Sequence, residues 1–148
     1  MSDLRELYQE IILDHNRNPR NFGRLDPADR TIEGFNPLCG DHYTVTMNME
    51  GDRITAVRFE GSGCAISKAS ASVMTAMVQG KRTDEAEHLF EEFRRMVTGE
   101  KPPDDLEKLG KLAAFSGVSE FPSRVKCAIL AWHAMSSALH GEQKVTTE

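Results

Sequence analysis

Alternating apolar and polar positions predict a β-hairpin in the first half of the chain. From position 42 to position 49 every second residue is apolar, which is typical of a strand with one buried face. Glu50-Gly51-Asp52 supplies a turn, and the β-branched and aromatic residues from Ile54 to Phe59 indicate the returning strand. We therefore expect an antiparallel pair, with Thr31 to Phe35 as a candidate third strand.

Apolar residues at helical spacing predict helices on both sides of these strands. An amphipathic helix is expected from a capping box at Asp3 as far as Asn18-Pro19, where proline stops it. After Gly61-Ser62-Gly63, apolar residues recur every three or four positions as far as Gly141. Because the strands are grouped and the main run of helices follows them, we expect an α+β fold: a small antiparallel sheet of about three strands packed against several helices.

Individual residues predict where the later helices begin and end. Gly80 is expected to end the first of them, Thr83 to cap the second, and Pro122 to occupy the first turn of the last. A short additional helix is expected at three leucines, Leu106, Leu109 and Leu112.

The length and composition indicate one domain. The chain has 148 residues, of which 39% are hydrophobic, so it can bury one ordinary core. There is no internal repeat or break in composition. We expect a single domain over residues 1–141 and a flexible tail over residues 142–148.

The charge and the apolar runs exclude two classes of function. The net charge is −5, whereas nucleic-acid binders present a concentrated basic face. No apolar run reaches the roughly 18 residues of a membrane-spanning helix, and the N-terminus does not resemble a signal peptide. We therefore expect a cytoplasmic protein that binds neither nucleic acid nor membrane. The chain has three widely spaced cysteines, which cannot all pair with one another, and a reducing compartment keeps cysteines as thiols. We therefore expect no disulfide framework.

Cys39 and Asp41 are the first candidates for chemistry. They stand two residues apart at the entrance to the predicted strand, so in an extended backbone their side chains point to the same face. A thiolate and a carboxylate could then share one metal ion. The alternative is an ordinary turn before a strand, with Gly40 as a turn residue.

Cys64 and Cys127 are the second pair of candidates. Cys64 follows Gly61-Ser62-Gly63 at the predicted start of a helix, where backbone N–H groups favour a thiolate. Cys127 lies in the first turns of the last helix, close in sequence to Arg124 and Lys126. Either cysteine could instead be a packed core residue. Since there is no Cys-x-x-Cys pair, spacing alone is a weak signal for a metal.

Three motifs together resemble one known family. They are Asn36-Pro37-Leu38-Cys39-Gly40-Asp41, Gly61-Ser62-Gly63-Cys64-Ala65-Ile66-Ser67 and Val125-Lys126-Cys127-Ala128-Ile129-Leu130-Ala131-Trp132. In order and context these motifs resemble the IscU/NifU-N/SufU family of iron–sulfur assembly proteins, and the likeness covers nearly the whole chain. The resemblance implies a compact α+β fold in which Cys39, Asp41, Cys64 and Cys127 converge on one metal site.

Within that family the chain resembles the SufU branch. Scaffold members carry a histidine immediately before the third cysteine, where this sequence has Lys126. It also has Phe121-Pro122-Ser123-Arg124-Val125-Lys126 in place of the scaffold branch's chaperone-docking Leu-Pro-Pro-Val-Lys, and a longer stretch before Cys127. The resemblance implies a zinc-dependent sulfurtransferase that accepts persulfide sulfur on Cys39 from a SufS-like cysteine desulfurase and passes it to a SufBCD-type complex.

Two other functions remain open. One is an IscU-like scaffold on which a [2Fe-2S] cluster is assembled by the same four residues. The other is a purely structural zinc module. Around a divalent cation held by three thiolates and a carboxylate, Arg124 and Lys126 are candidates for offsetting the negative charge of the ligands.

Several other potential ligands are better explained by folding. Strand alternation sends His42 to the opposite face from Asp41. The remaining histidines have no clustered partners in sequence and fit solvated or core positions: His15, His88, His133 and His140. The periodic methionines follow strand or helix spacing, so packing explains them.

Overall fold

Three antiparallel strands form the centre of the molecule, as the alternation predicts. The computed structural model describes residues 2–37, 40–100, 109–141 and 144–146. Strands β1 (Arg30–Asn36), β2 (Asp41–Glu50) and β3 (Arg53–Ser62) lie side by side in the order β3-β2-β1. The candidate third strand is thus confirmed.

The register of the sheet places its apolar residues on one face. Val45 in β2 lies opposite Ile32 in β1 and Phe59 in β3, and all three side chains are fully buried. A one-residue slip would turn every one of these side chains to the other face. A bulge at Asn48 and Met49 interrupts the β2–β3 ladder just before the turn.

A fourth strand extends the sheet beyond what the pattern indicates. Strand β4 (Lys144–Thr146) pairs in parallel with β1, with Glu33 opposite Lys144. These three residues fall inside the segment that the sequence assigns to a tail. A strand of three residues is too short to show periodicity, and its pairing is stabilised by a long-range neighbour.

Within the described residues, four α-helices and one 3-10 helix join the sheet in an α+β fold. They are α1 (Ser2–Arg17), α2 (Ala65–Val78), α3 (Thr83–Val97), the 3-10 helix (Gly110–Glu120) and α4 (Pro122–Leu139). Among the described helices, none is both long enough and apolar enough to cross a bilayer.

The helix boundaries agree with the sequence at Gly80 and Pro122 and differ at Thr83 and at Asp3, which lies inside α1 rather than at its cap. Gly80, with a φ of 88°, directly follows Gln79, the C-cap residue of α2. Pro122 is the first residue of α4. Thr83 is the first helical residue of α3 rather than its cap. Arg82 is the cap, because the carboxylate of Glu85 accepts a hydrogen bond from the Arg82 backbone N–H at 3.0 Å.

The short helix predicted at three leucines is described only in part. Leu106 lies outside the described residues. Leu109 and Leu112 are buried, Leu109 as the N-cap and Leu112 within the 3-10 helix. The expectation of a helical turn here is confirmed for the described part, although its hydrogen bonding is tighter than that of an α-helix.

The core lies between the sheet and the helices and is centred on Trp132 of α4. Its indole ring lies 5.1 Å from the ring of Phe93 in α3, measured between centroids, and Phe93 contacts Phe115 edge to face at 5.9 Å. All three side chains are fully buried. Such aromatic packing fixes α3, α4 and the 3-10 helix relative to one another.

A polar contact inside this core brings α2 and α4 together. The hydroxyl of Ser70 in α2 donates a hydrogen bond of 2.6 Å to the backbone carbonyl of Ala128 in α4. Both residues are fully buried. Because Ala128 follows Cys127 directly, this contact places Cys127 beside the first half of α2.

His15 attaches α1 to α2 through a buried hydrogen bond. Its Nδ1 lies 2.7 Å from the hydroxyl of Ser72, which also accepts a bond from the backbone N–H of Arg20. Among the described atoms its Nε2 has no hydrogen-bond partner. Burial lowers the pKa of His15 to about 4, and the positive charges of Arg20 and Lys111 act in the same direction.

This pKa predicts that acid weakens the fold through His15. The unfolded chain takes up the proton near pH 6.5, whereas the folded chain resists it until about pH 4, so stability is lost as the pH falls through that window. The free energy of unfolding should fall between pH 7 and pH 4 by up to ~3 kcal/mol more in the wild type than in His15→Gln, which lacks the titrating imidazole. Urea unfolding of both proteins across this range measures the difference. A constant difference would contradict the assignment.

Candidate metal centre

Asp41 opens strand β2 and is turned into the protein. It pairs with Asn36 at the end of β1, and its side chain is 1% exposed. The turn between these strands is closed by a 2.9 Å hydrogen bond from the Gly40 N–H to the Asn36 carbonyl. Gly40 has a φ of 79°, a conformation that favours glycine. Cys39, the neighbouring predicted ligand, lies outside the described residues.

Cys64 is the N-cap of helix α2, as its position in the sequence predicts. Its backbone is extended, and its Sγ accepts a hydrogen bond from the Ser67 backbone N–H at 3.4 Å. The residue is exposed. At this place the unpaired N–H groups of the first helical turn favour a negatively charged sulfur.

Cys127 lies in the second turn of α4 and is 5% exposed. Its thiol donates to the backbone carbonyl of Ser123, with 3.6 Å between sulfur and oxygen. The Ser70–Ala128 contact described above holds this part of α4 against α2. Its burial matches the core alternative considered from sequence, but its position is beside the other candidate ligands.

The ligand atoms of Asp41, Cys64 and Cys127 lie within 4.8 Å of one another. They come from three elements that are far apart in sequence: the start of β2, the cap of α2 and the second turn of α4. The Asp41 carboxylate is oriented by the Cys64 backbone, whose N–H donates to Oδ1 at 2.9 Å. Its other oxygen, Oδ2, lies 3.9 Å from the Cys64 sulfur. The structure therefore brings together three of the four residues predicted as ligands.

Two glycines make this convergence sterically possible. A Cβ on Gly61 would lie 2.1 Å from the His42 carbonyl oxygen, so β3 approaches β2 more closely here than another residue allows. A Cβ on Gly63 would meet Asp41 Oδ1 at 2.6 Å, and the hydroxyl oxygens of Tyr43 and Ser67 at 2.5 Å each. Gly63 thus leaves room for a polar cluster beside Cys64.

The Tyr43 hydroxyl belongs to this cluster and reports its electrostatics. Burial raises the pKa of Tyr43 well above its usual value. The negative charges of Asp41, Cys64 and Cys127 raise it further, against the opposing effect of the hydrogen bond with Ser67. The site therefore concentrates negative charge next to a phenol that stays protonated.

The donor set fits zinc. Two sulfurs and one carboxylate oxygen are ligands that Zn²⁺ accepts in tetrahedral sites. With bond lengths of about 2.0–2.3 Å, tetrahedral donors stand roughly 3.5–3.8 Å apart. The 3.9 Å between Asp41 Oδ2 and Cys64 Sγ is close to such an edge. Since Oδ1 is held by a backbone N–H, Oδ2 is the oxygen that remains for a metal.

His42 does not join the three ligand atoms. Its imidazole is 55% exposed and lies 3.8 Å from the Glu33 carboxylate on the outer face of the sheet. The opposite-face prediction is confirmed. His15, one of the four histidines for which the sequence allows a core position, is buried against α2 and is not part of the cluster.

Arg124 and Lys126 both precede Cys127 on α4. The Arg124 guanidinium lies over the ring of exposed Phe121, 5.3 Å from its centroid. Lys126 is partly buried directly before Cys127. Compensation of the ligands' charge by these two cations stays a prediction.

Sequence analysis missed Tyr43 and Ser67 as members of the site. The strand alternation predicts the buried face for Tyr43, which is correct for its ring, but it does not indicate that the hydroxyl lies at the site. Ser67 stands three residues after Cys64, the spacing at which an N-cap side chain meets a backbone N–H. That pattern was the available signal for Ser67. For Tyr43, the signal was its position on the same strand face as Asp41.

Comparison with known proteins identifies the family. A model of the family described as "NifU-like N terminal domain" matches residues 7–139. The chain is 40% identical to the zinc-dependent sulfurtransferase SufU of Bacillus subtilis (strain 168) over 142 residues, which cover 96% of this chain and 95% of that protein. It is also 40% identical to the iron-sulfur cluster assembly scaffold protein IscU of Streptococcus pyogenes serotype M1, over 139 residues that cover 94% and 86% of the two chains.

The fold agrees with a solved structure from the same group. A candidate iron-sulfur cluster assembly scaffold protein for the SUF system from Fervidobacterium islandicum AW-1 superposes with a TM-score of 0.82 at 37% sequence identity. The superposition covers 88% of this chain and 94% of that one. Motifs, fold and family match agree, and this chain belongs to the NifU-like N-terminal domain family that includes IscU and SufU proteins.

Proposed function

We propose that this protein is a zinc-dependent sulfur carrier of iron–sulfur cluster assembly. Cys39 would accept sulfur from the persulfide of a SufS-like cysteine desulfurase and pass it on to a SufBCD-type complex. The observation that supports this most directly is the convergence of Asp41, Cys64 and Cys127 within 4.8 Å. A lone thiol carrier needs no such cluster, whereas a metal-regulated thiol does.

Cys64, Cys127 and Asp41 would hold the zinc ion together with Cys39. Zinc keeps its cysteine ligands deprotonated and is itself not oxidised or reduced. Three thiolates and one carboxylate around a divalent cation carry a formal charge of about −2. This charge is consistent with cations on α4 at Arg124 and Lys126.

Chain connectivity supports Cys39 as the fourth ligand. Because two peptide units join them, the Cα atoms of Cys39 and Asp41 are at most about 7.6 Å apart. Asp41 is anchored by its backbone pairing with Asn36 and by the Cys64 N–H. A fourth ligand two residues before Asp41 is therefore compatible with the length of the chain.

The transfer step is a thiol–disulfide-type exchange. The Cys39 thiolate attacks the outer sulfur of the donor's persulfide, and the sulfur–sulfur bond to the donor cysteine breaks. The electron pair leaves with the donor cysteine as a thiolate, and the transferred sulfur ends as a persulfide on Cys39. No external oxidant or reductant is needed. Cys64 and Cys127 take no part in the exchange.

A cluster scaffold is the second candidate function. It is favoured by the 40% identity to the IscU protein of S. pyogenes, which equals the identity to the SufU protein of B. subtilis. In this case the same donor atoms would ligate a [2Fe-2S] cluster. We prefer the sulfur carrier because Lys126 occupies the position where scaffold members carry histidine.

Replacement of Cys39 tests the carrier function directly. Cys39→Ala should abolish persulfide transfer from a cognate cysteine desulfurase, since the attacking thiolate is gone. Peptide mass spectrometry after thiol alkylation measures the transferred sulfur. Gly117→Ala, at a position with open space around it, is the control and should transfer normally. Persulfide transfer to Cys39→Ala at the wild-type level would refute the proposal. If that variant instead unfolds near room temperature, the result favours a purely structural zinc module.

Metal content separates the carrier from the scaffold. Protein purified without added metal should contain about one zinc per chain, because the donor set suits a closed tetrahedral site. Elemental analysis together with the visible absorption spectrum gives the answer on one sample. An air-sensitive chromophore that can be transferred to an apo-ferredoxin would favour the scaffold instead.

Gly63→Ala should impair metal binding. The added methyl group would meet three oxygens at 2.5–2.6 Å, among them the Asp41 oxygen that is bonded to Cys64. Since the neighbours are buried, we expect at least a ten-fold weaker zinc affinity and ~1–3 kcal/mol lower stability. Competition with a chromophoric chelator and thermal unfolding measure the two effects. Gly117→Ala is again the control, and equal zinc affinity in both variants would contradict this account.

A further inference from the structure

The hydrogen bonds around Cys64 continue into the protein through Ser67 and Tyr43. The Ser67 hydroxyl lies 3.0 Å from the Cys64 carbonyl oxygen and 2.8 Å from the Tyr43 hydroxyl. Tyr43 and Ser67 are each 1% exposed. Burying a hydroxyl group without a hydrogen-bond partner costs free energy. We therefore expect these two hydroxyl groups to keep one fixed pattern of hydrogen bonds.

The direction of these bonds follows from counting protons. A carbonyl can only accept, so the single proton of the Ser67 hydroxyl goes to the Cys64 carbonyl. Ser67 Oγ must then accept the bond that it shares with Tyr43, and the phenol is the donor. The resulting order is Tyr43 O–H to Ser67 O–H to the Cys64 carbonyl.

Ser67 also contacts the sulfur of Cys64. Its backbone N–H donates to Sγ at 3.4 Å, and its Oγ lies 3.7 Å from the same sulfur. One residue thus binds both the backbone and the side chain of Cys64. Tyr43 in turn fixes Ser67, because its ring is packed against Phe59 with 5.9 Å between the centroids.

The same hydroxyls face the oxygen of another ligand. Tyr43 and Ser67 approach the place of a Gly63 Cβ at 2.5 Å, and Asp41 Oδ1 approaches it at 2.6 Å. The three oxygens are therefore within about 5 Å of one another. Two residues outside the ligand set are consequently built into the surroundings of both Asp41 and Cys64.

We propose that Tyr43 and Ser67 are positioning residues that hold Cys64 in the N-cap conformation aiming its sulfur at Asp41 and Cys127. This inference rests on the proposed metal site, and it distinguishes a ligand that stays bound from one that exchanges. Cys64 is exposed yet restrained by Ser67, so it stays a resident ligand. The exchange of ligands that sulfur transfer needs is left to Cys39.

Tyr43→Phe and Ser67→Ala test this role. Both remove a hydroxyl and keep most of the packing, so the zinc-loaded proteins should release zinc to a chelator about ten-fold faster than wild type. In the cobalt-substituted proteins, the thiolate-to-cobalt charge-transfer band should shift. Tyr8→Phe and Ser137→Ala, which alter a tyrosine and a buried helical serine outside the cluster, are the matched controls and should behave like wild type. Wild-type release rates and cobalt spectra in both test variants would overturn the proposal.

A measurement on metal-free protein separates this inference from the proposed function. The Hα–Hβ coupling constants of Cys64 in the NMR spectrum report whether its side chain holds one rotamer. We expect one dominant rotamer in the wild type and averaged couplings in Tyr43→Phe and Ser67→Ala, even at unchanged melting temperature. If the wild type binds no zinc but the couplings change as stated, the function is wrong and the positioning role stands. Unchanged couplings would overturn the positioning role regardless of metal content.

Discussion

The hydrogen bond from the Cys64 N–H to the Asp41 carboxylate is the contact on which the site depends. At 2.9 Å it joins the first residue of β2 to the cap of α2, two places that are 23 residues apart. Because Asp41 is buried, this bond also satisfies an oxygen that would otherwise be costly to keep from water. The bond leaves Asp41 Oδ2 beside the Cys64 sulfur. Potential metal ligands from the start of β2 and from the cap of α2 therefore lie next to each other.

The rest of the fold can be understood as the support of this junction. The antiparallel pairing with β1 fixes the backbone of Asp41. The Ser70–Ala128 hydrogen bond holds α4 against α2, and this contact places Cys127 next to Asp41 and Cys64. The aromatic core around Trp132 holds α4 in that position. A strand and two helices thus position the three described candidate ligands, Asp41, Cys64 and Cys127.

Much of the fold was predictable because it depends on local periodicity. The alternation from position 42 to position 49 and the turn at Gly51 were sufficient for the β2–β3 hairpin, and Pro122 was sufficient for the start of α4. Strand β4 could not be predicted, since its three residues are paired with β1 by contacts distant in sequence. The cap of α3 was misplaced by one residue because a side chain, Glu85, selects the capped N–H.

For the candidate site, the sequence by itself determined which residues could act as ligands and that Cys64 begins a helix. From spacing alone Cys39, Cys64 and Cys127 were as compatible with turns and core positions as with a metal, and only the family resemblance joined them. The tertiary structure decided that Asp41, Cys64 and Cys127 converge, that Gly63 must lack a side chain, and that Tyr43 and Ser67 belong to the cluster. The physical reason is that such proximity is produced by the packing of β2, α2 and α4, which no local pattern of residues encodes.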